Sequence, residues 1–240
     1  MFEIPKLKLR DHTGVYAPGK ARIRQILETA LDLLIGEGYA AVTLRELARR
    51  CQIRVGAVNY YYESRDGLMR DLLEGAVAPY NDVFASIAND RTLSAEERLE
   101  RLIRINLEDM QTEKTTKLFP EVWATANRDP FVAGVMDDMY TQQRAHFGSL
   151  IAEINPALGD RQRELLTLYV SFSMEGATMF MGYGKPWADA LPHIQNIAVT
   201  SILSLVKTIT NEQIDQDIAP IVAKGAAPTP KRARRKPSGD

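Results

Sequence analysis

The chain of 240 residues is 45% hydrophobic and 25% charged, with a formal net charge of −1, which is ordinary for a globular protein that can bury a core. Its single cysteine excludes an intramolecular disulfide framework and a multi-cysteine metal site. No apolar run approaches about 18 residues and no secretory signal core is present, so we expect a cytoplasmic protein that does not enter a membrane. The charge is uneven: residues 1–65 carry 11 basic and 7 acidic side chains. This local excess of positive charge suits contact with phosphate.

The chain opens with a predicted flexible basic arm over residues 1–19, where glycine and proline are mixed with lysine and arginine. Such an arm either lies along the backbone or minor groove of DNA or stays solvated, and both alternatives remain open. A first helix is predicted from Lys20 to Glu37, because apolar residues recur at helical spacing and Gly38 can cap the helix end.

The next segment has the pattern of a helix-turn-helix. Thr43 stands directly before an apolar-periodic run, as a helix N-cap does, and the run places on one face Leu44, Leu47, Ala48 and Cys51. Residues 52–55 are too few for a strand. Gly56, which permits a close backbone approach, opens a second short helix with Val58 turned inward. Two short helices joined by about four residues are typical of this motif, whose second helix enters the major groove of DNA.

These residues resemble the DNA-binding domain of the TetR family of bacterial one-component regulators. The match runs through Thr43, Leu44, Arg45, Leu47, Ala48, Gly56, Val58, Tyr61, Tyr62, Arg65 and Leu68. The chain departs from the family pattern at Asn59, where tyrosine is frequent, and at Val55, where a polar base-reading side chain is common. The DNA sequence of the operator therefore cannot be inferred from that of a relative. The resemblance is specific over about residues 20–75 and architectural beyond them.

Side-chain chemistry and the resemblance together assign the predicted DNA contacts. The Thr43 hydroxyl can cap the N-terminus of its helix, and helix N-termini bind phosphate. Arg45 can donate two hydrogen bonds to guanine or pair with phosphate. Asn59 suits bidentate reading of adenine, and the resemblance makes Lys20 and Arg65 phosphate anchors. The complete predicted set is Lys20, Thr43, Arg45, Arg54, Val55, Gly56, Ala57, Asn59, Tyr60, Tyr61 and Arg65.

The rest of the chain is predicted to be helical. A long helix begins near Ser64 and continues to about Ile87, with Pro79 expected to kink or divide it. Ser94 and Glu97 form a capping-box pattern that opens the next helix. Further helices are predicted over 117–127, 131–154, 161–182 and 192–209. Because no period-2 strand pattern is found, we expect an all-α, TetR-like fold of about nine helices.

Four divisions of the chain follow from these patterns. Residues 1–19 form the arm, 20–66 the helix-turn-helix domain, and 67–210 a helical domain for ligand binding and dimerisation. Residues 211–240 are rich in alanine, proline and basic side chains, and are predicted to be a disordered basic tail.

The last two long helices carry wide apolar stripes with small residues, and TetR-family proteins dimerise through a four-helix interface of this kind. The predicted interface contains Leu165, Tyr169, Ile194, Ile197, Ala198, Ser201, Ile202 and Leu205. A homodimer is also expected physically, because one short recognition helix reads too few base pairs, whereas two can read a palindrome with half-sites one turn apart.

Large adaptable apolar residues and a few polar ones are dense in the central helices. Either these residues pack as core, or they line the effector pocket that the resemblance implies. The predicted pocket contains Met110, Phe119, Trp123, Asn127, Met139, Tyr140, Gln143, Phe147, Phe172 and Glu175. The implied effector is small and mostly hydrophobic.

An enzyme is the first rival interpretation. With three histidines, no Glu-x-x-His pair, and no phosphate loop, nucleophile elbow or zinc-binding motif, catalysis is not expected, and neither is a cofactor or metal. The resemblance to the TetR family implies instead a ligand-responsive repressor, and we predict that it binds a palindromic DNA operator and releases it when the effector binds. The alternatives left open are a ligand-independent DNA-bound or partner-recruiting protein of the same fold, and an activator.

Overall fold

The computed structural model describes residues 5–9 and 16–216 of the chain. Every regular element in that part is helical, which confirms the all-α prediction. The α-helices are α1 (Ala17–Glu37), α2 (Leu44–Arg50), α3 (Val55–Tyr61), α4 (Arg65–Ala88), α5 (Ala95–Asp109), α6 (Glu113–Ala126), α7 (Pro130–Ile154), α8 (Asp160–Glu175), α9 (Ala177–Met181), α10 (Leu191–Thr208) and α11 (Asn211–Asp215). The predicted tail from residue 217 onward and residues 1–4 and 10–15 of the predicted arm lie outside the described residues.

Local capping explains where several helices begin and end. The Ser94 hydroxyl accepts a hydrogen bond from the Glu97 amide at 3.2 Å, and the Glu97 carboxylate accepts one from the Ser94 amide at 2.8 Å, so the predicted capping box is formed. The Asp129 carboxylate caps α7 by accepting hydrogen bonds from the Phe131 and Val132 amides. Gly38 ends α1 with a φ of +87°, a conformation that favours glycine.

Pro79 lies inside α4, which runs through it as one helix, so of the two predicted alternatives, a kink or a division, the division is wrong. Proline removes one backbone hydrogen bond and crowds the preceding turn. Packing on both sides of Pro79 holds the helix together, since residues 68–76 lie in one apolar core and residues 83–88 in another.

Two further helices differ from the sequence prediction. The predicted helix over 161–182 breaks at Gly176 into α8 and α9, where glycine disfavours helix continuation. The helix predicted from residue 117 begins at Glu113, because the Thr112 hydroxyl accepts a hydrogen bond from the Thr115 amide at 3.1 Å.

Helix α7 is central in the body and packs against α4, α5, α6 and α8, while α10 packs on α5. The core of the helix-turn-helix head extends from α1 through α4 to Leu118 and Phe119 in the middle of α6 and to Val132 near the beginning of α7. The second core fills the body and contains Phe84 and Phe147. Helix α4 thus contributes to both cores, and the domain boundary at residue 66 stays a prediction.

The N-terminal segment, residues 5–9, lies along the middle of α4. The Lys8 amide donates a hydrogen bond to the Gly75 carbonyl at 2.8 Å, and the Lys8 ammonium pairs with Asp82 at 2.5 Å. A Cβ at Gly75 would stand 2.9 Å from the Lys8 carbonyl oxygen, so this close approach requires glycine. The Lys114 ammonium of α6 donates to the Pro5 carbonyl at 3.4 Å and the Ala76 carbonyl at 3.2 Å. This part of the predicted flexible arm is therefore packed against α4 and α6.

Residues 5–9 and 16–216 contain no helix of the length and apolarity that a membrane crossing requires.

Candidate DNA-binding surface and effector cavity

Helices α2 and α3 form the helix-turn-helix. The Thr43 hydroxyl caps α2 by accepting a hydrogen bond from the Glu46 amide at 3.2 Å. Glu46 in turn receives hydrogen bonds from Arg49 and Arg50, and these hold the pKa of its carboxyl at about 2. Arg50 also pairs with Glu37 at the end of α1, so the basic end of α2 is tied to α1.

The turn between the two helices depends on Gln52 and not on glycine. Gln52 has a φ of +54°, in the left-handed region that non-glycine residues rarely adopt. Gly56 lies in the first turn of α3, and a Cβ there would meet nothing within 4 Å, so no other part of the described chain requires glycine at this position. Val58 and Cys51 are buried beneath the motif, where the Cys51 thiol lies 3.4 Å from the Thr29 hydroxyl.

The outer surface of the motif presents most of the predicted DNA-contacting side chains together. Exposed positions on the head are Lys20, Thr43, Arg45, Arg54, Val55, Gly56, Asn59 and Tyr60. The Tyr60 ring is 75% exposed and packs edge-on against the half-buried Tyr61, while Ala57 is half-buried on the same helix. Carboxamide and phenol groups on α3, with the guanidinium groups of Arg45 on α2 and Arg54 directly before α3, match the side chains that read bases and contact phosphates.

Arg65 was predicted as a phosphate anchor, and the structure gives its guanidinium another set of partners. Its Nε donates to the Val42 carbonyl and its Nη2 to the Tyr39 carbonyl, both at 2.7 Å. The guanidinium also lies 4.5 Å from the centre of the Tyr39 ring. Arg65 therefore fastens the turn before α2 to the beginning of α4.

A cavity of about 30 Å³ lies in the body between α4, α5, α6, α7, α8 and α9. Six of the predicted pocket residues line it: Met110, Phe119, Met139, Tyr140, Gln143 and Glu175. Seven lining residues were missed by sequence reasoning: Tyr80, Asn81, Phe84, Asn106, Asp109, Thr115 and Thr178. The cavity is small, because on the same scale a single water molecule needs about 10–15 Å³, so this volume holds two or three waters.

The four other predicted pocket residues lie elsewhere. Trp123 stands behind the cavity wall and donates from its indole N–H to the Tyr140 hydroxyl at 2.9 Å. Asn127 is exposed at the end of α6, and Phe147 is fully buried in the body core against Phe84. Phe172 is 57% exposed on the outer face of α8, because the opposite face of that helix packs on α7.

The sequence does contain a signal for some of the cavity-lining residues that were not predicted. Asn106 and Asp109 interrupt the apolar stripe of α5, and both are buried in the structure. Polar side chains on a core-facing stripe need partners, so they mark either a polar network or a lined cavity. Tyr80 and Phe84 carry no such signal, because aromatic residues on a long amphipathic helix are equally typical of plain core.

Two hydrogen-bond chains form the polar part of the cavity wall. In the first, the Thr115 hydroxyl donates to Asp109 at 2.6 Å and lies 3.0 Å from the Tyr80 hydroxyl, while burial raises the pKa of Asp109. In the second, the Tyr140 hydroxyl donates to Glu175 at 3.2 Å, and burial raises the pKa of Glu175 to about 7. The cavity thus combines aromatic walls with two carboxyl groups whose protonation responds to their surroundings.

A separate apolar surface runs along the outside of α8 and α10. Leu165, Tyr169 and Phe172 are between 42% and 57% exposed on α8, and Ile197 is 63% exposed on α10. Four other predicted interface residues on α10 are at least partly exposed to solvent, namely Ile194, Ala198, Ser201 and Leu205. Ile202 differs from them, because it is only 6% exposed and packs into the body core.

Comparison with known proteins agrees with this architecture. Residues 26–72 match the model of bacterial regulatory proteins of the tetR family, and residues 95–199 match the model of the BetI-type transcriptional repressor, C-terminal. The HTH-type transcriptional regulator BetI of Cronobacter sakazakii is 24% identical over 213 residues, 88% of this chain and 95% of its own length.

Solved structures share the fold at lower identity. A TetR-family regulator from Mesorhizobium loti superposes with a TM-score of 0.64 at 18% identity, covering 78% of this chain and 96% of its own. A regulator from Saccharomonospora viridis, solved in complex with choline, gives a TM-score of 0.58 at 19% identity over 78% of this chain and 94% of its own.

The exposed helix-turn-helix and the helical body behind it define a DNA-binding transcriptional regulator, and the chain belongs to the TetR family. Its C-terminal domain is of the BetI type. The family is one of regulators and not of enzymes.

Proposed function

We propose that the protein is a repressor that binds a palindromic operator as a homodimer and leaves it when a small, mostly hydrophobic effector occupies the body cavity. The observation that carries the proposal is the course of α4. Leu68 and Leu72 of this helix pack in the head core, whereas Tyr80 and Phe84 line the cavity. Leu68 and Tyr80 lie about 18 Å apart along the helix axis at 1.5 Å per residue. One rigid element therefore connects the effector site with the base of the DNA-binding head.

The small size of the cavity supports a mechanical coupling. An effector larger than a few waters must displace the walls, and α4 is one of these walls. Displacing α4 changes the tilt of each head and hence the separation of two recognition helices in a dimer. Release from DNA follows only if the effector binds the displaced state more tightly, because differential affinity alone shifts the populations.

The dimer in this proposal forms through the outer faces of α8 and α10. Their exposed apolar side chains, Leu165, Tyr169, Phe172 and Ile197, provide a surface of the kind that helices bury against each other. Two heads related by a twofold axis then read half-sites about 34–36 Å apart.

The test of DNA recognition is selection of genomic fragments by the purified protein, followed by a salt titration on the best site. We expect one short palindrome, with Asn59→Ala and Arg45→Ala each weakening its binding by about 1–3 kcal/mol per base-reading contact. The exposed Arg128 at the end of α6 provides a matched control, since Arg128→Ala should leave the affinity unchanged. Diffuse binding that ignores these substitutions and falls steeply with salt would contradict a sequence-specific regulator.

A second candidate is a ligand-independent DNA-bound protein of the same fold, and the narrowness of the cavity favours it. The two candidates differ in whether any small molecule releases the operator complex. Fractionated cell extract is added to the complex, and release by a dialysable fraction supports the first candidate. Many scattered genomic sites and no releasing fraction would support the second. An activator differs from a repressor in its effect on the promoter beside the bound site. Deleting the gene that encodes this protein lowers transcription from that promoter if the protein is an activator and raises it if the protein is a repressor.

A further inference from the structure

Pro79 leaves a gap in the backbone hydrogen bonds of α4. Proline has no amide proton, so the carbonyl four residues earlier, that of Gly75, lacks the donor that other residues would provide. Gly75 is buried, and a buried carbonyl without a donor destabilises a fold. The gap lies on the stretch of α4 that connects the head core with Tyr80 in the cavity wall.

The N-terminal segment, residues 5–9, fills this gap from outside the helix. The Lys8 amide donates to the Gly75 carbonyl at 2.8 Å and so takes the place of the missing Pro79 amide. The two backbones can approach this closely because Gly75 has no side chain: a Cβ there would stand 2.9 Å from the Lys8 carbonyl oxygen and 3.1 Å from Leu7. A glycine and a proline four residues apart therefore form a matching site for this segment.

The N-terminal segment is attached to α4 on both sides of the gap. Leu7 and Leu9 pack against the head core, and the Lys8 ammonium pairs with Asp82, three residues beyond Pro79. Both side chains of the ion pair are more than half exposed, so this pair contributes little. The backbone hydrogen bond and the apolar contacts of the two leucines therefore provide most of the attachment.

The Lys114 ammonium of α6 links the same segment to the cavity wall. It is buried and donates to the Pro5 carbonyl at 3.4 Å and to the Ala76 carbonyl of α4 at 3.2 Å. It also lies 4.7 Å from the centre of the Tyr80 ring, which lines the cavity. A displacement of Tyr80 therefore acts on the ammonium that holds the beginning of the N-terminal segment.

We propose that the N-terminal segment braces α4 at Pro79 and thereby controls how readily this helix bends when the cavity wall moves. The inference rests on the proposed function, in which α4 connects the effector site with the head. While the segment is bound, it supplies the hydrogen bond that proline removes. Once it is released, the Gly75 carbonyl has lost this donor and α4 bends more easily at Pro79. The effector must overcome this attachment, so the segment raises the effector concentration needed to release DNA.

The experiment measures hydrogen exchange of the full chain, without DNA or effector, at the amides of residues 80–83, which follow Pro79 in α4. Two substitutions at one position form a matched pair: Lys8→Pro removes the donating amide, Lys8→Ala keeps it, and both remove the same charge and ion pair. We expect exchange at residues 80–83 to be about fivefold faster in Lys8→Pro than in Lys8→Ala, the effect of losing one hydrogen bond.

The Pro79→Ala background separates bracing at the proline from simple packing of the segment. An alanine amide at this position can donate to the Gly75 carbonyl within the helix, so the two Lys8 variants should then exchange alike. Equal exchange of the two variants in the chain that keeps Pro79 would overturn the inference. A difference that persists in the Pro79→Ala background would overturn it as well.

Binding of the selected palindrome tests whether the bracing reaches the head. The dissociation constant of Lys8→Pro should exceed that of Lys8→Ala by about threefold, because a more flexible α4 leaves each head more orientations to lose on DNA. The two variants carry the same charge, so a lost phosphate contact cannot produce this difference. Equal dissociation constants would refute control of the head by the segment. The proposed function fails by a different result, the absence of a specific palindrome, and the exchange comparison decides the bracing of α4 independently of it.

Discussion

Replacing Glu175 with glutamine removes the carboxylate charge from the cavity wall and keeps the length of the side chain. The pKa of this carboxyl rises from 4.5 to about 7 on folding, because burial disfavours the charged form. Each pH unit of such a difference corresponds to 1.36 kcal/mol. The difference of about 2.5 between the two pKa values lowers the free energy of unfolding by about 3 kcal/mol. This figure is an upper bound, because the side chain is partly exposed.

The sign of the effect follows from proton binding. Between pH 4.5 and about pH 7 the folded state holds a proton on Glu175 that the unfolded state has lost, so the free energy of unfolding falls as the pH rises. Above about pH 7 both states are ionised and the penalty is constant. The glutamine variant has no such group, so its stability relative to the wild type should increase across this window and then level off. The groups facing Glu175, namely Tyr140 and Asp109 across the cavity, are present in both proteins.

The assay is urea unfolding of the two proteins from about pH 5 to about pH 8, at one protein concentration because the proposed dimerisation would contribute to stability. Glutamine also differs from a protonated carboxyl by a constant offset, so the decisive quantity is the change of the stability difference with pH. Glu164→Gln serves as the control and should stay within about 0.5 kcal/mol of the wild type throughout. A difference that does not vary with pH would refute the assigned burial of this charge.

Three further predictions concern the head, the N-terminal segment and the outer face. Gly75→Val should detach residues 5–9 from α4, seen as faster hydrogen exchange at the Lys8 amide, while Gly134→Val, with open space around its Cβ, should not. Arg65→Lys should lower the free energy of unfolding by about 1–3 kcal/mol, because the ammonium lacks the planar fork with which the guanidinium donates from Nε and Nη2 to the Val42 and Tyr39 carbonyls; an unchanged urea midpoint would contradict this. Phe172→Glu should shift sedimentation equilibrium toward monomer, and an unaltered dimer would place the interface elsewhere.

The sequence by itself predicted the helices whose ends carry strong local signals. Gly38 ends α1 and the Ser94 box opens α5 as expected, because capping depends on a few neighbouring residues. The helix-turn-helix was equally accessible, since its buried side chains, such as Val58, recur at helical spacing within about 20 residues. At Pro79 the local signal left a kink or a division of the helix open, and packing in two cores keeps α4 a single helix there.

The walls of the cavity were decided only by the tertiary structure. Tyr140 and Phe172 are both aromatic residues on amphipathic helices, yet one lines the cavity and the other is exposed on the outside of α8. Helix α8 has two apolar faces, with Val170 and Met174 turned inward and Tyr169 turned outward. Periodicity identifies the side chains that favour burial, but the partner that covers each face depends on contacts between helices far apart in the chain.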